Sequence, residues 1–97
     1  MKKRVADIII ETLLDEGVDQ CFAVVGGGAM HIDNALAIHD EMKKVFCHHE
    51  QACAISAEGY ARVSGKPALV SVTSGPGAIN TLNGVQGAYV DSIPMVV

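Results

Sequence analysis

The sequence predicts an α/β fold: a parallel sheet with helices on both faces, in a three-layer arrangement. Two observations carry that reading. Short apolar runs alternate along the chain with segments whose apolar residues recur at helical spacing, and strands joined by crossover helices form a parallel sheet. The glycines and the unusual polar residues collect just after those runs, at the carboxyl ends of strands, where ligands of such sheets gather.

The elements follow in order. Val5 to Glu16 reads as a helix, with Val5, Ile8, Ile9 and Leu13 on one face and Gly17 placed to end it. Gln20 to Val25 is an apolar run suited to a strand buried on both faces. Gly26-Gly27-Gly28 breaks the chain. Ile32, Ala35, Leu36 and His39 mark a second helix, which Lys43-Lys44 are expected to close. Val45 to His48 is a second strand. Glu50 to Val63 is an alanine-rich helix closed by Ser64-Gly65, able to approach a neighbour closely. Ala68 to Val72 is a third strand, Thr73 to Gly77 a glycine-rich loop, and Ala78 to Tyr89 a fourth helix. Met95-Val96-Val97 begins a fourth strand.

With 97 residues the chain has room for one domain at most, and 49% of it is hydrophobic against 19% charged. So rich an apolar supply suits a piece of a larger enzyme better than a free-standing module, and a fourth strand with nothing after it points the same way. Residues 1–97 are therefore expected to be the N-terminal part of a domain truncated at its C-terminal end. The formal net charge of -4 is spread over both halves, and no basic stripe argues for nucleic acid. Acidic residues interrupt the segment after Met1-Lys2-Lys3-Arg4, which argues against a signal peptide, and no run is long enough to span a membrane. A cytoplasmic location is expected. Cys21, Cys47 and Cys53 read as small, reduced, buried residues.

Three segments offer chemistry. Gly26 to His31 follows a strand and precedes a helix, which invites the dinucleotide fingerprint; His31 breaks the match at its last position, and a turn that only lets backbone pack closely fits as well. Thr73 to Ala78 is neither a P-loop nor a nucleophile elbow, and ligand contact and a plain turn both remain open. Cys47, His48, His49, Glu50 and Cys53 lack metal-ligand spacing. Glu50 opens a helix at the end of a buried strand. The helix N-terminus favours its carboxylate and burial favours its neutral acid, a balance suited to proton exchange with a ligand nitrogen. A plain capping glutamate is the competing reading.

The combination of motifs carries a resemblance. His49-Glu50-Gln51, Glu58-Gly59-Tyr60-Ala61-Arg62, Gly65-Lys66-Pro67, Thr73-Ser74-Gly75-Pro76-Gly77-Ala78 with Asn80, Ala88-Tyr89 and Asp91-Ser92-Ile93-Pro94 occur in this order. The chain resembles the N-terminal pyrimidine-binding domain of the thiamine-diphosphate-dependent acetolactate synthase and benzoylformate decarboxylase family. The resemblance implies an incomplete thiamine-diphosphate pyrimidine-domain fold. It implies that Glu50 is catalytic, hydrogen-bonding the pyrimidine N1′ so that the 4′-amino group can become the imine that deprotonates the thiazolium C2. The ylid then attacks a 2-keto acid, and decarboxylation or carboligation follows. Gly26, Glu50, Ser74, Gly75, Pro76, Gly77 and Asn80 are the implied cofactor-binding residues, and His31 lies where some relatives place a pocket histidine.

The family's pattern departs here at Val25, commonly proline, and at Ile79, often threonine. Magnesium and the diphosphate are implied to be held by a domain absent from this chain, and no metal ligand is assigned here. The active site is implied to lie between subunits of a homodimer or tetramer. These residues alone are expected to be inactive. A free-standing α/β nucleotide- or ligand-binding module without catalysis is the alternative.

Overall fold

The computed structural model describes residues 2–97. Three parallel strands make the sheet: β1 (Gln20–Ala23), β2 (Lys43–Phe46) and β3 (Leu69–Ser71). The order is β2-β1-β3, with Phe22 opposite Val45 on one side and Val70 on the other. Met95 to Val97, expected as a fourth strand, contributes a parallel bridge from Val96 to Leu69. Val70 donates its N–H to the Val96 carbonyl at 2.7 Å, and Val96 donates to Ala68 at 3.1 Å.

The helices are α1 (Val5–Asp15), α2 (Met30–Ile38), α3 (Glu50–Ser64), α4 (Pro76–Asn80) and α5 (Leu82–Val90). Strand alternation sorts them into layers. Cys21, Ala23 and Leu69 meet Ala6 and Ile10 of α1 and Ala35 and Leu36 of α2. On the other face, Phe22 and Val70 meet Cys53, Ala57 and Tyr60 of α3. The expected three layers are present. Burial pushes the Cys21 thiol up to about 12, and burial together with a hydrogen bond to Cys47 does the same for Cys53. Neither is a nucleophile at neutral pH. All three cysteines are unpaired, though Cys47 is only half-buried.

Three element boundaries differ from expectation, each for a physical reason. Lys43 and Lys44 open β2 rather than close α2, yet the Lys44 ammonium still serves that helix end. Its Nζ donates to the carbonyls of Leu36 at 2.7 Å and His39 at 3.0 Å, where a cation is favoured. β2 thus ends at Phe46, short of His48. The single helix expected from Ala78 to Tyr89 is broken at Thr81. Its hydroxyl donates to the Ala78 carbonyl at 2.6 Å, a local bond that competes with the helical ladder. The strand expected to reach Val25 leaves the regular sheet after Ala23, although Val24 still donates to Ser71 at 3.1 Å.

α5 lies directly against α3. A Cβ on Gly84 would overlap Ala54 Cβ and lie 2.8 Å from the Ala54 carbonyl carbon, so the small residues read from the sequence do permit close approach. Arg62 at the end of α3 pairs with Asp91 at 2.5 Å and with Glu58 at 3.5 Å. Such exposed pairs contribute only about 0–1 kcal/mol, so the close packing decides the geometry. Gly84→Ala gains about 1 kcal/mol of helix propensity but must push α5 off the α3 backbone, an overpacking cost of about 1–3 kcal/mol or more. The expected outcome is a net loss of stability, read as a lower urea midpoint.

Candidate active site at the strand ends

Each strand delivers one segment to the same edge of the sheet. β1 leads into Gly26–Gly28, β2 into Glu50, and β3 into Thr73–Gly77. His49 caps α3: its Nδ1 accepts from the Gln51 N–H at 3.1 Å. Glu50 is therefore the first helical residue, half-buried and held at the strand ends.

Asn80 reaches Glu50 from α4. Its Nδ2 donates to Glu50 Oε1 at 3.1 Å. The other oxygen, Oε2, faces Gly77, where an added Cβ would lie 3.2 Å away. The helix N-terminus and burial are expected to oppose each other at this carboxyl; the charged form prevails, and a contact outside that pair contributes most. The Asn80 amide, first, and the residue's own backbone N–H hold the Glu50 pKa below the ordinary glutamate value against the smaller effect of burial.

Gly75 carries φ +71°, in the left-handed region, and precedes Pro76 at the first turn of α4. A Cβ on Gly75 would meet nothing within 4 Å, so this stretch of backbone is open, and Ser74 beside it is exposed. Gly26 and Gly28 differ from it. Added Cβ atoms there would fall 2.5 Å from Thr73 Cβ and 2.8 Å from Ser74 Oγ, respectively. Two of the three turn glycines thus serve close packing against β3's loop, which answers to the plain-turn reading and leaves Gly27 open.

Glu50 and Asn80 are therefore hydrogen-bonded with Gly77 close beside Glu50, while Gly26 lies against Thr73. His31 stands apart: it lines a groove of about 430 Å³ with Val5 and Ile9 of α1, which none of the other candidates borders. A second cavity, of about 540 Å³, lies on the α1 side of Thr73 and Ser74 among Ile9, Leu13, Ile32 and Val96, and Glu50 does not line it. Among the described residues no group of three or more His, Cys, Asp and Glu side chains is placed to hold a metal ion.

Two contributors were given no role of their own from the sequence, although Thr73 opens one of the candidate segments. Thr73 Oγ1 accepts from the Gly28 N–H at 3.1 Å, and Asp33 Oδ2 accepts from the Gly26 N–H at 3.2 Å. Asp33 sits in the first turn of a helix that follows a glycine break, where free N–H groups attract a carboxylate. That placement was the available signal.

Comparison with known proteins shows the family. Over residues 3–97 the chain matches the family described as "Thiamine pyrophosphate enzyme, N-terminal TPP binding domain". It is 46% identical over 91 residues to acetolactate synthase, chloroplastic, of Arabidopsis thaliana, covering 94% of this chain and 14% of that protein. It is 44% identical over 92 residues to acetolactate synthase isozyme 3 large subunit of Escherichia coli (strain K12), covering 95% and 16%. The chain thus spans about one sixth or less of the length of these curated relatives.

The Asn80 contact generates a test. Asn80→Leu removes the amide that lowers the Glu50 pKa, so that pKa rises toward the ordinary glutamate value, as carboxyl carbon shifts in an NMR titration would read. The sign follows from linkage. A depressed carboxyl contributes stability above its unfolded-state pKa and loses it as pH falls through the folded-state pKa. The stability from this contact is therefore lost as pH falls from the ordinary glutamate value through the lowered one, and that acid sensitivity shrinks in the variant, where only the backbone N–H still lowers the pKa.

Proposed function

The chain belongs to the family of thiamine pyrophosphate enzyme N-terminal TPP-binding domains, and from that premise we propose that it is the N-terminal part of the pyrimidine-binding domain of a larger enzyme. That enzyme decarboxylates a 2-keto acid and transfers the resulting unit to an acceptor, in the manner of an acetolactate synthase. The observation that carries the reading is the Glu50 carboxylate, half-buried at the head of α3 with one oxygen held by Asn80 and the other against Gly77.

The residues present fit the pyrimidine end of the cofactor. A flat heterocycle needs an open backbone edge and a carboxyl group aimed at a ring nitrogen. Gly75 offers the first, bordered by Ser74 and Pro76, and Glu50 the second. Gly26 supports the opposite side through Thr73. When bound, thiamine diphosphate supplies the electron sink for decarboxylation. Glu50 hydrogen-bonds the ring nitrogen N1′ and exchanges a proton there. Its Oε1 is engaged by Asn80, which leaves Oε2 for that exchange. A bound ring that displaced water from the carboxylate would push its pKa up, toward the value a proton donor needs. Asn80 keeps the carboxyl plane fixed while this happens.

The diphosphate and its magnesium ion require oxygen ligands, and in this proposal another domain of the enzyme provides them. The active site lies between subunits of a homodimer or tetramer. Exposed apolar residues near the site, Ile55, Ile79 and Leu82, support a covering partner surface. No helix among the described residues is long and apolar enough to cross a membrane, and three unpaired thiols suit a reducing, cytoplasmic setting.

Two tests follow. In the complete enzyme, Glu50→Gln slows hydrogen–deuterium exchange at C2 of the bound cofactor by about 10²–10⁴-fold, the usual cost of losing one acid–base group; an unchanged rate would favour a binding module without catalysis. For the 97 residues alone, calorimetry with thiamine diphosphate and magnesium shows no tight binding, because Glu50 grips only the uncharged end of the ligand. Micromolar binding by a monodisperse monomer would overturn the assignment of the diphosphate site to another domain.

A further inference from the structure

One side chain, Thr73, lies against both the Gly26–Gly28 turn and Gly77, the residue that faces Glu50. Thr73 is half-buried and belongs to neither hydrophobic cluster of the core. Added Cβ atoms would fall 2.5 Å from its Cβ at Gly26, 2.9 Å from its Oγ1 at Gly28 and 2.9 Å from its Cγ2 at Gly77. Its hydroxyl accepts from the Gly28 N–H at 3.1 Å. Beyond Gly77 stands Glu50, whose Oε2 would lie 3.2 Å from that same added Cβ. The order of contacts is glycine turn, Thr73, Gly77, Glu50: a methyl group added at Gly26, Gly28 or Gly77 would overlap Thr73, and at Gly77 it would also press on Glu50 Oε2.

We infer that Thr73 is the positioning residue that sets the distance between the Gly26–Gly28 turn and the Glu50 carboxylate. Its two branches have separate tasks. The hydroxyl fixes the turn, and the methyl presses Gly77 toward Glu50. Serine keeps the first and loses the second; valine keeps the second and loses the first. The inference rests on the function proposed above for Glu50 and assigns Thr73 no contact with the reacting atoms.

The separation of tasks is testable in the complete enzyme, with cofactor affinity from calorimetry and C2 exchange measured at saturating thiamine diphosphate. Thr73→Val takes the side-chain acceptor from the Gly28 N–H, loosens the turn and weakens cofactor binding by up to about tenfold, the factor equivalent to one intramolecular hydrogen bond, with little change in exchange at saturation. Thr73→Ser lets Gly77 recede and misplaces Glu50, slowing exchange by about tenfold or more, with little change in affinity. Gly77→Ala slows exchange through the overlap with Thr73 Cγ2, and adding Thr73→Ser recovers part of that loss. A residue that merely supports the fold would move affinity and exchange together in both Thr73 variants. That parallel behaviour, no effect of either variant, or failure of Thr73→Ser to relieve Gly77→Ala would each overturn the inference. Glu50→Gln serves as the reference: if it leaves exchange unchanged, the proposed function falls and this inference with it. If it slows exchange while the Thr73 variants do not separate as stated, only the positioning role falls.

Discussion

Parallel pairing of β1 on both of its sides is the constraint from which the site follows. With β2 and β3 both parallel to β1, every connection must cross the sheet and every carboxyl end must fall on one edge. Gly26, Glu50 and Thr73 lie far apart in sequence, yet each is only a few residues beyond a strand end. The pairing therefore fixes their proximity before any side chain is considered. Small residues make it possible: Cys21 and Ala23 on one face of β1 let α1 and α2 pack tightly, while Phe22 fills the other face against Tyr60, ring centroids 6.2 Å apart.

Electrostatics at Glu50 builds on that placement. Sequence reasoning can state that a helix start and burial oppose each other, because both follow from position along the chain. It cannot decide between them, because the deciding contact comes from Asn80, thirty residues away. The half-exposed carboxyl keeps enough water, and gains enough hydrogen bonding, to remain charged. A ligand that displaces this water changes the balance without moving any protein charge, which makes the group responsive to occupancy of the site.

What was legible in the chain has a common character. Helical and strand patterns are local, so the order of elements and the three layers could be read from Val5 onward. The Gly65 helix stop was equally local, with φ +74° and its N–H bonded to Ala61. The misplaced boundaries were set by tertiary contacts. Lys43-Lys44 carry the charge expected at the end of α2, but Lys44 delivers it from the neighbouring strand. Thr81 looks neutral within a helical run until its hydroxyl turns back on Ala78. In the site, Glu50 and the Gly75–Gly77 loop were legible because their residue types are unusual at strand ends. Thr73 and Asp33 were not singled out, since an ordinary threonine and aspartate gain significance only from what they touch.

Motif residues of the second half then fall, with small residues between them, along one face of α3. Glu50 meets Asn80, Ala54 meets Gly84, Glu58 approaches Gly87, and Arg62 pairs with Asp91. Along α3 these residues are four apart, the spacing of one helical face, and on the partner side they advance by nearly the same steps. The contacts differ in kind but share a consequence. Exposed ion pairing at Arg62 contributes little energy, whereas the near-contact of Ala54 with Gly84 tolerates almost no displacement. One turn before that tight point sits the Asn80–Glu50 hydrogen bond. Close packing at Gly84 therefore supplies the rigidity with which Asn80 is presented to Glu50.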